Sequence, residues 1–158
     1  MRATNDRLRM KKDQKTALSG LIGSMVIATA GFADDVDVSK LPAPAGKQVD
    51  FVKEIKPLFE KACFSCHGSK PRAKSKYFMN KRDSTIKGGS SKEAALVVGK
   101  SAESLLVHYV ADLVEELEMP PIDKRDKYPK FTTEQVALVR AWIDQGAKWP
   151  DGVELKLP

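Results

Sequence analysis

The stretch Cys63-Phe64-Ser65-Cys66-His67 contains both cysteines and one of the two histidines of this 158-residue chain. C-x-x-C-H is the spacing at which c-type haem is attached. Two cysteines three positions apart lie on one side of a helical turn, so their sulfurs can reach the two vinyl groups on one haem edge. The histidine that follows can turn its ring to the iron as the proximal ligand. The sequence therefore predicts one covalently bound haem c.

Two other interpretations of this motif are weaker. A thioredoxin-like redox pair belongs in a βαβ pattern, and the sequence has no alternating β pattern of useful length. A structural zinc site needs four ligands, which Cys63, Cys66, His67 and His108 could supply. Known zinc patterns, however, space their ligands as two separated pairs. Haem attachment is therefore the favoured interpretation.

Three residues are candidates for the sixth iron ligand. Met119 directly precedes two prolines, which fix the backbone and can present the sulfur from a rigid turn. His108 lies in the apolar helical stretch 105–110, where the alternative is a core histidine with a hydrogen bond. Met79 is interpreted as packing in the haem pocket. We expect Met119 as the distal ligand, and His108 is the alternative.

Helical periodicity surrounds the motif. Apolar residues recur at helical spacing over 50–62, where Pro57 either kinks the helix or begins it. A second apolar helix is predicted after Ser101, a plausible N-cap, and we expect the run 119–121, Met-Pro-Pro, to end it. Both helices would flank the predicted haem site.

A third helix is predicted from Thr132, which fits a capping box with Gln135, to a stop at Gly146. Residues 68–100 contain several glycines and basic side chains and are expected to be loop. These patterns predict an all-α protein with three to four helices and long loops around one haem. Three or four helices would supply few core side chains for a chain with loops of this length, so the interior would have room for a large apolar prosthetic group.

The N-terminus is typical of an export signal. Residues 1–15 are basic and polar, 16–32 are mildly apolar, and Gly31-Phe32-Ala33 places small residues before a possible cut. This predicts a signal peptide over 1–33, cleaved after Ala33, and a periplasmic or otherwise exported protein. The alternative is a retained membrane anchor. The apolar stretch is just under the ~20 residues that a spanning helix needs, so we expect no stable membrane insertion after cleavage.

The charge distribution argues against nucleic-acid binding. Six basic and two acidic side chains fall within 1–33, so the rest of the chain carries only +2 of the net charge of +6. Nucleic-acid binding normally needs a basic patch on the folded domain itself. We therefore expect no nucleic-acid partner.

Two clusters of charged residues lie next to the predicted haem ligands in the sequence. The basic one follows the C-x-x-C-H motif and comprises Lys70, Arg72, Lys74, Lys76, Lys81, Arg82 and Lys87. The acidic one precedes Met119 and comprises Asp112, Glu115, Glu116 and Glu118. Together they could steer a redox partner toward an exposed haem edge. The alternative is that both are ordinary solvated surfaces.

Several stretches together resemble the planctomycete-type cytochrome c domain. They are 55–68 around the motif, Lys87-Gly88-Gly89, 98–106, Met119-Pro120-Pro121 and 140–146. The resemblance covers about residues 51–147. It implies a cytochrome-c-like all-α fold, haem attachment at Cys63 and Cys66, His67 as the proximal ligand and Met119 as the distal one.

The domain organisation expected from these features is a signal peptide at 1–33, an extended leader or linker at 34–49, a cytochrome c domain at 50–149 and a C-terminal tail at 150–158. The expected function is extracytoplasmic electron transfer to redox partner proteins, without enzyme activity. The alternatives are a peroxidase-like enzyme with an open sixth coordination position, in which His108 would be the distal group, and a haem subunit of a larger secreted complex.

Overall fold

The computed structural model describes residues 36–68, 71 and 73–157. Within these residues the chain forms helices and turns but no β-strand, which confirms the all-α prediction. The α-helices are α1 (Lys56–Ala62), α2 (Phe64–His67), α3 (Arg82–Lys87), α4 (Leu105–Val110) and α5 (Thr133–Asp144). Short 3-10 turns lie at Val38–Lys40, Lys74–Lys76, Ser101–Glu103 and Ile122–Lys124, and a π-helical turn at Phe51–Ile55.

The predicted signal peptide, with its cut after Ala33, lies outside the described residues. Among those that are described, no helix combines the length and the hydropathy needed to cross a bilayer.

The helix before the C-x-x-C-H motif has two parts. The π-helical turn Phe51–Ile55 is capped by Asp50, whose carboxylate accepts a hydrogen bond from the backbone N–H of Lys53 at 2.9 Å. Pro57 then lies in the first turn of α1, where its missing N–H costs nothing. Helical backbone already begins at Phe51, so Pro57 lies where the π-helical turn changes to the α-helix and not at the start of the whole helical segment.

Helix α4 is much shorter than the sequence predicts. Ser101 begins a 3-10 turn, and α4 covers only Leu105–Val110. The expectation that Met119-Pro120-Pro121 ends this helix is wrong, because the backbone leaves the helix at Ala111. Asp112 has φ = 56° and Glu116 has φ = 65°, both in the left-handed region, so a continuous helix is impossible here.

Helix α5 follows its prediction closely. The Thr132 hydroxyl accepts from the Gln135 N–H at 3.3 Å, and the Gln135 side chain accepts from the Thr132 N–H at 2.9 Å. These two bonds are the reciprocal pair of a capping box. Gly146 has φ = 96° just past the helix end, which glycine adopts without steric cost.

Helix α3 falls within the stretch 68–100 that was expected to be loop. It has tertiary support, because Thr85 is fully buried and Arg82 reaches the end of α5. The Arg82 guanidinium donates from Nε to the Ala147 carbonyl at 2.9 Å and from Nη2 to the Gly146 carbonyl at 3.1 Å. Arg82 therefore ties α3 to the C-terminal end of α5.

An aromatic cluster forms the centre of the core. The Phe51 ring lies 4.0 Å from Trp149 and 5.6 Å from Trp142, and Phe59 meets Trp142 edge-on at 5.7 Å between ring centroids. The aliphatic side chains of Ile55, Val139 and Ile143 belong to the same hydrophobic core and are fully buried. We call the π-helical turn, α1, α5 and the residues 145–149 that follow α5 the scaffold region.

The segments expected as leader and tail pack against this scaffold region where they are described. Leu41 and Val49 are buried, and the Ala45 N–H donates to the Ala137 carbonyl at 3.0 Å. Leu155 is only 3% exposed. No periodic pattern in the sequence predicts these contacts, because the described parts of both segments have no regular secondary structure apart from the 3-10 turn Val38–Lys40.

Candidate haem site

A cavity of about 260 Å³ lies beside the C-x-x-C-H motif. Three of the predicted site residues, Cys63, His67 and Met119, contribute to its wall. The other lining residues are Ser75, Tyr77, Met79, Gly88, Gly89, Ser90, Ser91, Glu93, Ala95, Leu105, Leu106, Tyr109, Val110 and Leu117. We call the part of the chain that supplies this wall the cavity region; it comprises residues 63–67 and 74–119.

His67 is oriented by a backbone carbonyl. Its Nδ1 lies 3.2 Å from the Lys74 oxygen, and a carbonyl can only accept, so Nδ1 carries the proton and donates it. The other ring nitrogen, Nε2, is then left with its lone pair. Burial lowers the pKa of His67, and the Lys74 hydrogen bond only partly opposes this. A histidine that binds a metal is usually neutral, and the ring nitrogen that does not bind the metal usually donates a hydrogen bond, as Nδ1 does here to the Lys74 carbonyl.

The two cysteines lie at the junction of α1 and α2. Cys63 caps the end of α1, and the Cys66 N–H donates to its carbonyl at 3.1 Å. Both thiols are free. Burial raises the pKa of Cys63 to about 12, so its surroundings favour a neutral sulfur, which a thioether also is. Cys66 is partly buried and its side chain is not part of the cavity wall.

Met119 is brought to the cavity by a backbone hydrogen bond to α4. Its N–H donates to the Tyr109 carbonyl at 2.9 Å, so the chain that leaves α4 at Ala111 returns to the same helix. Met79 also reaches the cavity and is only 1% exposed. Its N–H donates to the His67 carbonyl at 2.7 Å. Two methionines therefore line the cavity together with His67.

The alternative distal ligand, His108, is placed elsewhere. Its side chain is buried but does not line the cavity. Its Nε2 lies 2.7 Å from the Ala102 carbonyl and must donate to it, while Nδ1 is buried with no hydrogen-bond partner among the described residues. This is the core histidine that the sequence offered as the other interpretation. Which residue is the sixth ligand stays a prediction, with Met119 the candidate that the cavity geometry favours.

The zinc alternative lacks its ligand cluster. In the described part of the chain, no three histidine, cysteine, aspartate or glutamate side chains converge closely enough to bind a metal ion. A zinc site would need His108 beside the motif, and this histidine is instead bonded to Ala102.

Several cavity residues were not identified from the sequence. The Tyr77 ring lies 5.2 Å from the His67 ring, and its hydroxyl donates to the Thr85 carbonyl at 2.9 Å. Burial raises the pKa of Tyr77, so the hydroxyl keeps its proton. Tyr109 contributes to the wall and also holds Met119 through its carbonyl. Neither tyrosine has a sequence signal that separates it from ordinary core packing.

Gly88 and Gly89 allow two parts of the cavity wall to approach each other. A Cβ on Gly88 would lie 2.2 Å from the Glu93 carbonyl oxygen, and one on Gly89 would lie 2.5 Å from that of Ser75. Both distances are shorter than any real Cβ contact. The Gly-Gly pair was part of the family resemblance, and its steric role is visible only in the structure.

The two predicted charge clusters are less uniform than the sequence suggests. Four of the basic residues are exposed, namely Lys74, Lys76, Lys81 and Lys87. Arg82 instead hydrogen-bonds to backbone carbonyls at the end of α5. Lys70 and Arg72 lie outside the described residues. On the acidic side, Asp112 is paired with Arg125 at 2.7 Å and with Lys130 at 2.8 Å. Asp112 is thus a structural residue, and partner steering by the remaining charges stays a prediction.

Comparison with known proteins confirms the family resemblance. Residues 63–123 match the model of the Planctomycete cytochrome C family. No curated protein matches this chain. Among solved structures, a chain of Kuenenia stuttgartiensis Hydrazine Synthase is similar with 21% identity and a TM-score of 0.38, over 71% of this chain. This chain spans only 18% of the length of that one, and a TM-score this low assigns no fold.

Proposed function

We propose that this chain, whose residues 63–123 match the Planctomycete cytochrome C family, binds one haem c and transfers electrons outside the cytoplasm. The family implies covalently attached haem. The finer claims are that there is a single haem, that His67 and Met119 are its axial ligands, and that the protein is an electron carrier.

The observation that carries the proposal is the convergence of Cys63, His67 and Met119 on one cavity. The chemistry of this donor set fits haem c. The Cys63 thiol at the cavity could form a thioether, His67 could offer Nε2 to the iron, and Met119 supplies a thioether sulfur in the wall of the same cavity. Met119 is more than 50 positions from His67 in the sequence, so only the fold brings the two together.

The haem, when bound, supplies the one-electron iron couple. The chain's own residues would hold His67 and Met119 in position. Lys74 fixes the His67 ring through Nδ1, and Tyr109 fixes the backbone of Met119. Apolar side chains, among them Met79, Leu106 and Val110, cover the cavity wall. Because His67 and Met119 are both held by hydrogen bonds to the backbone, they would need little rearrangement when the iron changes oxidation state, which would suit electron transfer.

Export is part of the proposal because c-type haem is attached outside the cytoplasm, and the segment 1–33 has the pattern of a signal peptide. The partners are then other redox proteins. The lysines at 74, 76, 81 and 87 are exposed residues of the cavity region and would favour a partner with an acidic face. A steep fall in the electron-transfer rate with rising salt would support this, and a flat dependence would contradict it.

The test is to express the chain in a host with c-type maturation machinery and measure its visible spectrum in both oxidation states. We expect haem to stay with the polypeptide after acid–acetone extraction, a pyridine haemochrome spectrum typical of two thioether bonds, and a weak near-red sulfur-to-iron band in the oxidised form. Met119→Ala should remove that band, and Met79→Ala should leave it in place. Absence of covalent haem in the unmodified protein would refute the proposal.

The peroxidase-like alternative has less support. It requires an open sixth coordination position and a polar distal group. His108 was the expected distal group, and it lies outside the cavity wall. A high-spin spectrum with ready binding of peroxide or cyanide would favour this alternative over the carrier.

A further inference from the structure

Residues 111–121, here called the Met119 segment, form a loop that departs from α4 and returns to it. It has no regular helix of its own, and Asp112 begins it in the left-handed conformation with φ = 56°. The hydrogen bond from Met119 N–H to the Tyr109 carbonyl joins the far end of the loop to α4. A loop of this kind opens easily unless further contacts tie its ends together.

Arg125 makes such contacts at both ends. Its Nη2 donates to Asp112 Oδ1 at 2.7 Å, and its Nε donates to the Pro120 carbonyl at 3.1 Å. The Arg125 and Asp112 side chains are only 22% and 18% exposed, so this ion pair is shielded from solvent. One guanidinium therefore bridges the first turn of the Met119 segment and the residue directly after Met119.

We propose that Arg125, anchored on Asp112, is a positioning residue that holds the Met119 side chain at the cavity. This inference rests on the proposed function, because it concerns the residue expected to be the distal ligand. Arg125 does not line the cavity and acts only through the backbone of the Met119 segment.

The geometry of the guanidinium is what the role requires. Arginine presents several N–H donors in a rigid planar fork, whereas lysine has a single ammonium at the end of a flexible stem. A lysine at position 125 would keep the charge beside Asp112 and lose the simultaneous contact with the Pro120 carbonyl. A purely electrostatic role would survive this substitution, and a positioning role would not.

The experiment measures how readily an added ligand displaces Met119 from the oxidised, haem-loaded protein. Imidazole is titrated in, and loss of the near-red sulfur-to-iron band gives an apparent affinity. This affinity is proportional to the fraction of molecules in which the Met119 segment is open. We expect Arg125→Lys to tighten apparent imidazole binding about tenfold, the effect of losing one charge-assisted hydrogen bond. Amide hydrogen exchange over 111–121 should accelerate by a similar factor.

Three further variants serve as a second test and as controls. Asp112→Asn keeps a side chain that tolerates the left-handed backbone but removes the charge that pairs with both Arg125 and Lys130, so it should also tighten imidazole binding. Lys130→Gln removes only the second of these pairs and should leave imidazole binding near that of the unmodified protein if Arg125 is the positioning residue. Lys124→Gln removes a neighbouring cation whose only ion pair in the described structure is with the exposed Asp123, and it should bind imidazole within twofold of the unmodified protein.

The possible results separate the inference from the proposed function. If the unmodified protein lacks covalent haem or the sulfur-to-iron band, the proposed function fails and this inference with it. If the band is present and Arg125→Lys and Asp112→Asn both bind imidazole like the unmodified protein, only the inference is overturned. If Arg125→Lys fails to accumulate, Asp112→Asn decides: tighter imidazole binding supports the positioning role, and unchanged binding refutes it.

Discussion

The scaffold region and the cavity region are stabilised in different ways. In the scaffold region, Ile55, Phe59, Val139 and Ile143 are completely buried, and α5 is a helix of 12 residues with a capping box. The cavity region has only helices of four to six residues joined by loops. Its backbone has a positive φ at seven residues, namely Ser75, Lys76, Gly88, Lys92, Gly99, Asp112 and Glu116.

This difference indicates which interactions stabilise each region. Burial of large apolar side chains stabilises the scaffold region, and this stabilisation involves contacts between residues of the chain only. The cavity region also buries apolar side chains, among them Met79, Leu96 and Val107, but its short helices and loops rely in addition on individual polar contacts, such as those of Arg82 and Arg125, and on close approaches at glycines. A substitution in the scaffold region should therefore destabilise the whole protein. A substitution in the cavity region should mainly disturb the haem site.

The largest effect is expected for Trp142→Ala in the scaffold region. Trp142 is 1% exposed, contacts Phe51 and Phe59, and donates from Nε1 to the Lys148 carbonyl at 2.7 Å. Truncation of a buried tryptophan should lower the free energy of unfolding by about 3–5 kcal/mol. Urea denaturation followed by circular dichroism measures this loss. The control is Val52→Ala, where the side chain is 43% exposed and the change should stay within about 0.5 kcal/mol.

An intermediate effect is expected for Gly88→Ala in the cavity region. Gly88 has φ = 86°, and a Cβ there would meet the Glu93 carbonyl. We expect a loss of about 2 kcal/mol and a shifted visible spectrum, because the displaced loop forms part of the cavity wall. Gly99→Ala is a matched control: its φ is 81°, but no atom lies within 4 Å of the added Cβ. Equal losses and unchanged spectra in both variants would contradict the steric role.

The smallest effect, about 1 kcal/mol at neutral pH, is expected for Asp112→Asn. Burial opposes ionisation of Asp112, but hydrogen bonds from Arg125 and Lys130 outweigh it and hold the pKa below its usual value. A carboxyl with a lowered pKa in the folded state stabilises the fold above its unfolded pKa of about 3.9 and loses this contribution as pH falls through the folded pKa. The difference in urea midpoint between the variant and the unmodified protein should therefore be constant near neutral pH and shrink below about pH 4. A difference that persists in acid would show that the charge of Asp112 is not what stabilises the loop.

The features that the sequence predicted well are those determined by local contacts. The capping box of Thr132 and Gln135 lies within four residues, so its side-chain types alone indicate it. The C-x-x-C-H motif likewise needs only one helical turn, and the structure places it at the junction of α1 and α2. The all-α class followed from helical periodicity and the absence of alternation.

The errors fall where distant residues decide the backbone. The apolar pattern of α4 continues past Val110, but Asp112 turns into the left-handed conformation to meet Arg125 and Lys130. Helix α3 is only six residues long and depends on the contact of Arg82 with the end of α5. Propensity and periodicity do not report such contacts.

The position of the candidate distal ligand was predictable only in part. The two prolines after Met119 indicated a rigid presentation, and the cavity does include Met119. The sequence could not exclude His108, because an apolar helical pattern does not say whether a histidine faces a cavity or a backbone carbonyl. The bond to Ala102 supplies that information.

The aromatic cluster of the scaffold region has a practical consequence for spectroscopy. The chain has two tryptophans, and both lie in this cluster, 6.4 Å apart. Intrinsic fluorescence thus reports on the scaffold region, whereas visible absorbance would report on the cavity region. The protein carries one optical probe for each region without any labelling, and unfolding curves recorded with the two probes would coincide only if both regions unfold in a single cooperative step.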